Sequence, residues 1–493
     1  MLRLDGLRIE AIVGLEVHVQ LATRTKMFCA CPVEFGAPPN SRTCPVCLGL
    51  PGALPVPNRA AVGHAIRTAL ALNCSIADFT KWDRKNYFYP DQPKNYQITQ
   101  YDLPLTHDGH FEFTLGHYPR RVRIRRVHLE EDAGKNVHDL AGGTGVDLNR
   151  AGTPLLEIVT EPDLRSAEEV RECAVQLHRL VRYLGVSEAV MQRGQMRFEP
   201  NINVRILNGR KESRTPIVEV KNLNSFHALQ QAVQHEIDRQ VELWRDDGVT
   251  AESGNKSNRG WDDGRGVTVP QRGKEEAHDY RYFPEPDLVP LCIDRLWVGQ
   301  LKTDMPELPV YRAERYVSEY KISRREASVL VDDRATADLL DDAADAGGDK
   351  RTLAKQFLGL WARLACDRGT TIAGLGVSPG RLAELANLVC GGRLNATAGA
   401  RVAEAMLANH DPPTAVAERL GVMQDRDRTR VAVWVDEALA QNERAVRDAL
   451  VNPKKRRAAR GYLVGQVMQA SGGRADPRLV ADLIDGRLKA RQD

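Results

Sequence analysis

The chain has 493 residues, too many for one hydrophobic core, and its composition (42% hydrophobic, 27% charged) is ordinary for a globular protein of roughly two to four domains. A net charge of +3 neither demands nor excludes nucleic acid, so local patches must decide. No stretch is apolar enough to span a bilayer and MLRLDGLRIEA carries no signal-peptide run, so a cytoplasmic address and no membrane partner are expected.

The first strand signal is Ala11 to Leu21. Val13, Leu15, Val17, Val19 and Leu21 fall on one face, and Glu16, His18 and Gln20 on the other. A carboxylate turned toward a core costs on the order of several kcal/mol unless something positive offsets it. Next come Cys29, Cys31, Cys44 and Cys47, a C-x-C and a C-x-x-C twelve residues apart across a loop rich in turn formers. Two close thiolate pairs suit tetrahedral Zn²⁺, and with no further ligand evident the site reads as structural. A reduced, metal-free loop is the bland alternative. A redox C-x-x-C is disfavoured because no thioredoxin-like pattern surrounds it. Nine cysteines, the later ones isolated, argue against a disulfide framework.

Lys81 to Pro104 is dense in Lys, Asn, Gln and Tyr without a helical stripe. It suits either base stacking with a grip on ribose and phosphate, or a packed loop whose tyrosines cover a sheet. A basic strand follows, Arg120 to Arg126, then HLEEDAGK (His128 to Lys135) and TPLLEIVT, which inserts Glu157 into an apolar strand. Ser166 and Glu169 form a capping box for a helix striped by Val170, Leu177, Val181 and Leu184 and ended by Gly185. Met196 to Leu207 alternates again, with Arg197, Glu199, Asn201, Asn203 and Arg205 on one face. Ile217 to Lys221 adds Glu219 and Lys221.

A second helix aligns Phe226, Leu229, Val233, Ile237, Val241 and Trp244 before Gly248. The Gly-rich run Ser253 to Gly266 reads as a mobile loop. Beyond Pro306 and Pro309 the pattern is helical, with a last piece from about Asp425 that carries the basic cluster Lys454, Lys455, Arg456, Arg457 and Arg460. Either basic patch is a solvated face or a contact for nucleic-acid phosphate, and two of them on a nearly neutral chain favour a large polyanion.

A curved antiparallel sheet built from these strands would gather carboxylates, amides and cations on its concave side. That mixture fits Mg²⁺ with a nucleoside triphosphate, the alternative being a solvated sheet face. No Walker A and no G-x-G-x-x-G sequence is present.

The runs IVGLEVHVQL, TCPVCLGLPGALPVPN, KNYFYP, HLEEDAGK, NRAGTPLLEIVTEPDL, EVKNLNSF, EEAHDYRYFPEPDL and YLVGQVMQA carry a family resemblance. The sequence resembles the B-subunit family of the glutamyl/aspartyl-tRNA amidotransferases over nearly its whole length. The resemblance implies an α+β chain. A cradle domain with a zinc knuckle spans 1–295, an all-helical domain 296–424, and a helical tRNA-binding tail 425–493. It implies ATP-dependent phosphorylation of the side-chain carboxylate of Glu or Asp misacylated on tRNA-Gln or tRNA-Asn, then amidation. The ammonia would come from a glutaminase partner, since no amidase-type Ser-Lys or glutaminase Cys signature is seen here. The implied partners are the A (amidase) subunit, the small C subunit and mischarged tRNA, and the implied cofactors are ATP, Mg²⁺ and structural Zn²⁺.

By resemblance, Glu16, His18, Glu131 and Glu157 hold the magnesium, with Glu130 and Asp132 as alternates. Arg197 and Lys221 act on phosphate or substrate, and Lys85, Asn86, Tyr87 and Tyr89 line the nucleotide pocket. The chain departs from the family pattern at Gln195, Phe198 and Glu199, in SGNKSNRGW, and around Gln271 and Arg272. These departures bear on the substrate-gripping side rather than the metal side. Two other readings are a catalytically weakened tRNA-binding scaffold and a free-standing metal-dependent kinase or ligase for a small carboxylic acid.

Overall fold

The alternating segment near the N-terminus forms a 14-residue strand, β1 (Leu7–Gln20), at the middle of a large sheet. The computed structural model describes the chain except residues 1, 5–6, 117, 141, 210, 252–255, 272–279, 426, 452–454 and 492–493. Ser253 and its neighbours to 255, Arg272, most of the EEAHDY segment and Lys454 therefore lie outside the described residues.

The remaining strands of this sheet are β2 (Gly109–Leu115), β3 (Tyr118–Glu131), β4 (Pro154–Thr160), β5 (Met196–Asn208), β6 (Val218–Lys221), β7 (Ser257–Asp262) and β8 (Val267–Pro270). Their order is β8-β7-β6-β5-β1-β4-β3-β2, and two short strands, Leu2–Leu4 and Lys211–Arg214, extend it. The expected antiparallel pairing holds except between β6 and β7, which run parallel.

The strand parity works as alternation requires. Val13, Leu15, Val17 and Val19 are almost fully buried and join Leu129, Leu156, Ile158, Ile202 and Val204 in one core. Two helices close that core, α2 (Ala167–Tyr183) and α3 (Phe226–Asp247), through the stripes expected of them. Ser166 caps α2 by accepting from Glu169 N, as predicted. The reciprocal half of the box is displaced by one residue, because the Glu169 carboxylate accepts from Arg165 N at 2.7 Å. α1 (Arg59–Ala71) follows the cysteine loop and is capped by Asn58.

One expectation is overturned. The described part of the Gly-rich run is not a loop throughout, since β7 lies within it and β8 just after it. Trp261 is buried in the core, Asn222 donates to Trp261 O at 3.0 Å, and Thr268 donates to the buried Glu236 of α3 at 2.9 Å. One buried indole and a backbone ladder hold a segment whose composition alone reads as coil.

The chain divides into two compact units, Met1–Val310 and Tyr311–Asp493. The first therefore runs past the expected limit at 295. It keeps α4 (Arg295–Thr303), whose Leu301 enters the sheet core and whose Trp297 ring faces Arg59 of α1 at 5.1 Å. The described part of the second unit is built of helices, and its buried apolar residues form two clusters. One runs from Tyr316 to Val422 and the other from Val431 to Leu488. No helix among the described residues is long and apolar enough to cross a membrane.

Candidate functional site: an acidic cleft on the polar sheet face

Opposite the core, the register sets side chains in rows across the strands. Arg197, His18, Glu157 and His128 form one row over β5, β1, β4 and β3. Glu199, Glu16 and Val159 form the next, and Gln20, Leu155 and Glu130 the one on the other side. A cleft of about 560 Å³ lies over these rows, walled by Lys85, Tyr87, Tyr280 and Tyr282.

The row geometry sorts the acids into two groups. Donor atoms of His18, Glu130 and Glu157 lie within 4.8 Å of one another, with His18 Nε2 3.7 Å from Glu130 and 3.6 Å from Glu157. Those of Glu16, Glu199 and Glu219 form a second such group. Lys221 Nζ sits 3.1 Å from Glu199 and 3.0 Å from Glu219, and Asn201 donates to Glu16 at 2.9 Å. The four residues expected around one magnesium therefore do not share a site: Glu16 lies in one group, His18 and Glu157 in the other.

Glu131 is in neither. On a strand, neighbours face opposite sides, so Glu130 enters the cleft and Glu131 points away from it. Glu131 accepts from Ile98 N at 3.0 Å and pairs with Lys94, beside a separate cavity of about 210 Å³ lined by Cys29 and Cys47. The alternate, Glu130, occupies the place expected of Glu131.

The electrostatics follow from the crowding of acids. Burial alone would lower the His18 pKa, yet Glu157, Glu199 and Glu130 carry it above its ordinary value. Burial and the neighbouring Glu157 push Glu130 up. Glu157 goes the other way: burial opposes its charge, but His128, His18 and Lys85 outweigh it. Asp132 is likewise buried, and Arg197 and Arg150 hold it below the usual range. Its oxygens accept from Arg197 at 3.1 Å and Gln20 at 2.8 Å.

Lys85 stays strongly protonated despite burial, because Tyr282, Glu130 and Glu157 surround it. Its Nζ lies 4.8 Å from the Tyr280 ring centre, while Tyr282 stacks on Tyr101 at 4.0 Å. Tyr87 also lines the cleft, but Asn86 and Tyr89 do not. Asn86 instead grips the backbone of Tyr280 and Arg281 at 3.2 and 2.8 Å, and Tyr89 is exposed. The basic strand is engaged at its surface: Arg123 pairs with Asp163, Arg125 with Glu161 and Arg120 with Glu169.

Oxygen-rich groups with one imidazole fit a hard divalent cation such as Mg²⁺ or Mn²⁺. The cysteines make a different site. The four Sγ atoms lie within 4.8 Å of one another, and Cys44 and Cys47 are 3.9 Å apart. That approaches the ~3.8 Å edge of a tetrahedron with bonds of ~2.3 Å. Cys44 N donates to Cys47 Sγ at 3.1 Å. A hydrogen bond from Cys29, then that amide and Lys26, hold Cys47 down to about 4 although burial opposes it. Gly152, at φ +84°, turns the chain beneath the knuckle and accepts from Met27 N at 2.7 Å.

Sequence reasoning did not assign His128, Tyr280 or Tyr282 to the site, nor Glu199 and Glu219 to a cation group. Parity counted from His128 through Asp132, and across from Glu157, was the signal available for His128 and Glu130.

The sheet thus carries two groups of acids that could hold metal ions over a cation-walled cleft, and the same unit carries a four-cysteine cluster of the same kind. Residues 11–299 match the family described as the GatB/GatE catalytic domain, and 338–488 match the GatB domain. Relatives named as the B subunit of aspartyl/glutamyl-tRNA(Asn/Gln) amidotransferase are 42% identical in Caldicellulosiruptor saccharolyticus (97% of this chain, 99% of the relative) and 43% in Carboxydothermus hydrogenoformans (97% and 98%). The relative of that name from Trichlorobacter lovleyi is 43% identical over 98% of this chain and all of its own. The chain belongs to the amidotransferase B-subunit (GatB) family.

Proposed function

We propose that the chain uses ATP to phosphorylate the side-chain carboxylate of Glu or Asp misacylated on tRNA, and then directs ammonia from a glutaminase partner onto the acyl phosphate. The observation that carries this is the pairing of two acidic groups on one sheet face within a cleft that also holds Lys85, Arg197 and Lys221. A carboxylate is not amidated directly because hydroxide leaves poorly, and phosphorylation supplies the leaving group.

His18, Glu130 and Glu157 would hold one Mg²⁺, and Glu16, Glu199 and Glu219 a second. Bound magnesium supplies charge neutralisation between the two anions that must meet. Lys85, Arg197 and Lys221 offset what remains, and Tyr280 and Tyr282 offer faces for a base. The cysteine knuckle would hold structural Zn²⁺. Lys455, Arg456 and Arg457, exposed at the start of the helix Arg456–Ala470, would meet tRNA phosphate, with the A and C subunits completing the enzyme.

The scaffold reading rests on departures near Gln195 and in Ser253 to Trp261. Glu199 nonetheless places a carboxylate in an acid group and Arg197 pairs with Asp132, which supports the enzymatic reading.

The test is a reconstituted complex given γ-labelled ATP and mischarged tRNA. ATP turnover should be stimulated by mischarged tRNA and not by free glutamate. Glu16→Gln and Glu157→Gln should each cut phosphorylation by orders of magnitude while leaving tRNA binding and basal glutaminase intact. Near-normal amidation by both variants would overturn the reading.

A further inference from the structure

His128 is a cleft residue to which the cation reading gives no task. It is 2% exposed and lies directly across the strand pair from Glu157, its Nε2 3.3 Å from Glu157 Oε2. The same oxygen faces His18 Nε2 at 3.6 Å from the other side. The two imidazoles are not equivalent. His18 also reaches Glu130 and shares the 4.8 Å neighbourhood of donor atoms, whereas His128 stands outside it.

The other nitrogen of His128 decides its form. Nδ1 is buried and has no hydrogen-bond partner among the described residues. A buried N–H left without an acceptor is rarer and costlier than an unused lone pair, so the proton belongs on Nε2, facing Glu157. Its neighbours in the strand, Val127 and Leu129, face the core and fix the backbone from which the ring projects.

Resting on the cation reading above, we infer that His128 is a positioning residue for the Glu157 carboxylate. Its Nε2–H occupies one lone pair of Oε2 and stops the carboxylate from rotating, so that Glu157 meets the cation already oriented. A ligating carboxylate left free would have to be ordered at each binding event. Loss of such an outer hydrogen bond costs about 10- to 100-fold in metal affinity.

The experiment titrates the full-length chain with Mn²⁺ alone, reading free Mn²⁺ by its paramagnetic resonance, for wild type, Glu157→Gln and three variants of His128. His128→Phe should weaken tight Mn²⁺ binding by about 10- to 100-fold. His128→Gln carries a donor that reaches the place of Nε2 and should bind close to wild type. His128→Asn, too short to reach, should behave like Phe. In the reconstituted amidation assay the apparent KM for Mg²⁺ of His128→Asn should rise, with kcat recovered at saturating Mg²⁺.

Wild-type Mn²⁺ affinity in His128→Phe, or equal affinity in the Gln and Asn variants, would overturn the inference even if the Phe variant melts early. If Glu157→Gln binds Mn²⁺ as wild type does, the cation reading fails and this inference falls with it. If Glu157→Gln is weak and His128→Asn is not, only the role of His128 is lost.

Discussion

Glu130 and Glu131 are neighbours, yet neutralising them should move the stability of the protein in opposite directions. Glu131 is 3% exposed and its charge is answered by Lys94, itself almost buried and 5.6 Å from the Tyr96 ring centre. Glu131→Gln keeps an acceptor for Ile98 N but strands the Lys94 ammonium, and breaking a buried pair on one side costs about 3–5 kcal/mol. For a unit of this size that is a fall in melting temperature of about 6–10 °C, at about 2 °C per kcal/mol. Glu130 is the reverse case. Its folded pKa is raised above 4.5 by burial and by Glu157, so at neutral pH its charge works against the fold. Without added Mg²⁺, Glu130→Gln should raise the melting temperature, by about 1.4 kcal/mol of stability per pKa unit of that shift. Thermal melts with and without Mg²⁺ give the answer, since wild type should gain more from the cation than Glu130→Gln, which keeps only the group of Glu16, Glu199 and Glu219 intact. Adding Lys94→Met to Glu131→Gln should recover part of the loss. An early-melting Glu130→Gln alongside a Glu131→Gln that keeps its stability but no longer responds to Mg²⁺ would refute the parity argument.

Other outcomes follow from the same geometry. Zinc should co-purify with the chain, and Cys44→Ser with Cys47→Ser should lower thermal stability before it lowers chemistry; protein free of zinc and iron on elemental analysis would count against the knuckle. Removing residues 425–493 should weaken tRNA affinity by an amount that shrinks as salt rises, checked by filter binding across ionic strengths, and equal binding by the truncated chain at moderate salt refutes it. Asp132 has a folded pKa below 3.8, so it contributes stability above that pH that is lost as pH falls through the folded value. Denaturant melts of Asp132→Asn should therefore show a flatter loss of stability between about pH 4 and 2 than wild type.

Alternation made much of the fold legible. β1, β5, α2 and α3 were readable because one period, 2 or 3.6, ran through each without interruption. β7 was not, because its neighbours in sequence are Gly and Asp and its one anchor is Trp261. Its parallel pairing with β6 depends on a crossover through α3 that local sequence does not specify. In the cleft, His18, Glu157, Arg197 and Lys221 could be placed on the polar face by parity alone. Their division into two acid groups could not, because it is set by which residues lie opposite one another across strands over a hundred residues apart. Glu130 rather than Glu131 lines the cleft, a choice that a run of adjacent glutamates leaves open until strand parity is counted through HLEED. The placement of Asn86 needed the path of a segment nearly two hundred residues later.

The central position of β1 also has a cost in time. Its hydrogen-bonding partners are residues 154–160 on one side and 196–208 on the other. At about 5–20 residues per second, roughly 10–40 s of synthesis separate the emergence of Gln20 from that of Asn208. Until residues 154–160 emerge the first long strand to leave the ribosome lacks both long partners, and until Asn208 emerges it still lacks one, with a valine-rich face uncovered. Glu10, Glu16 and His18 lie along it, and charges on a waiting strand discourage pairing with a second nascent copy. Glu16, one of the acids that crowd the finished cleft, thus also puts charge on its first strand while the partners are still to come.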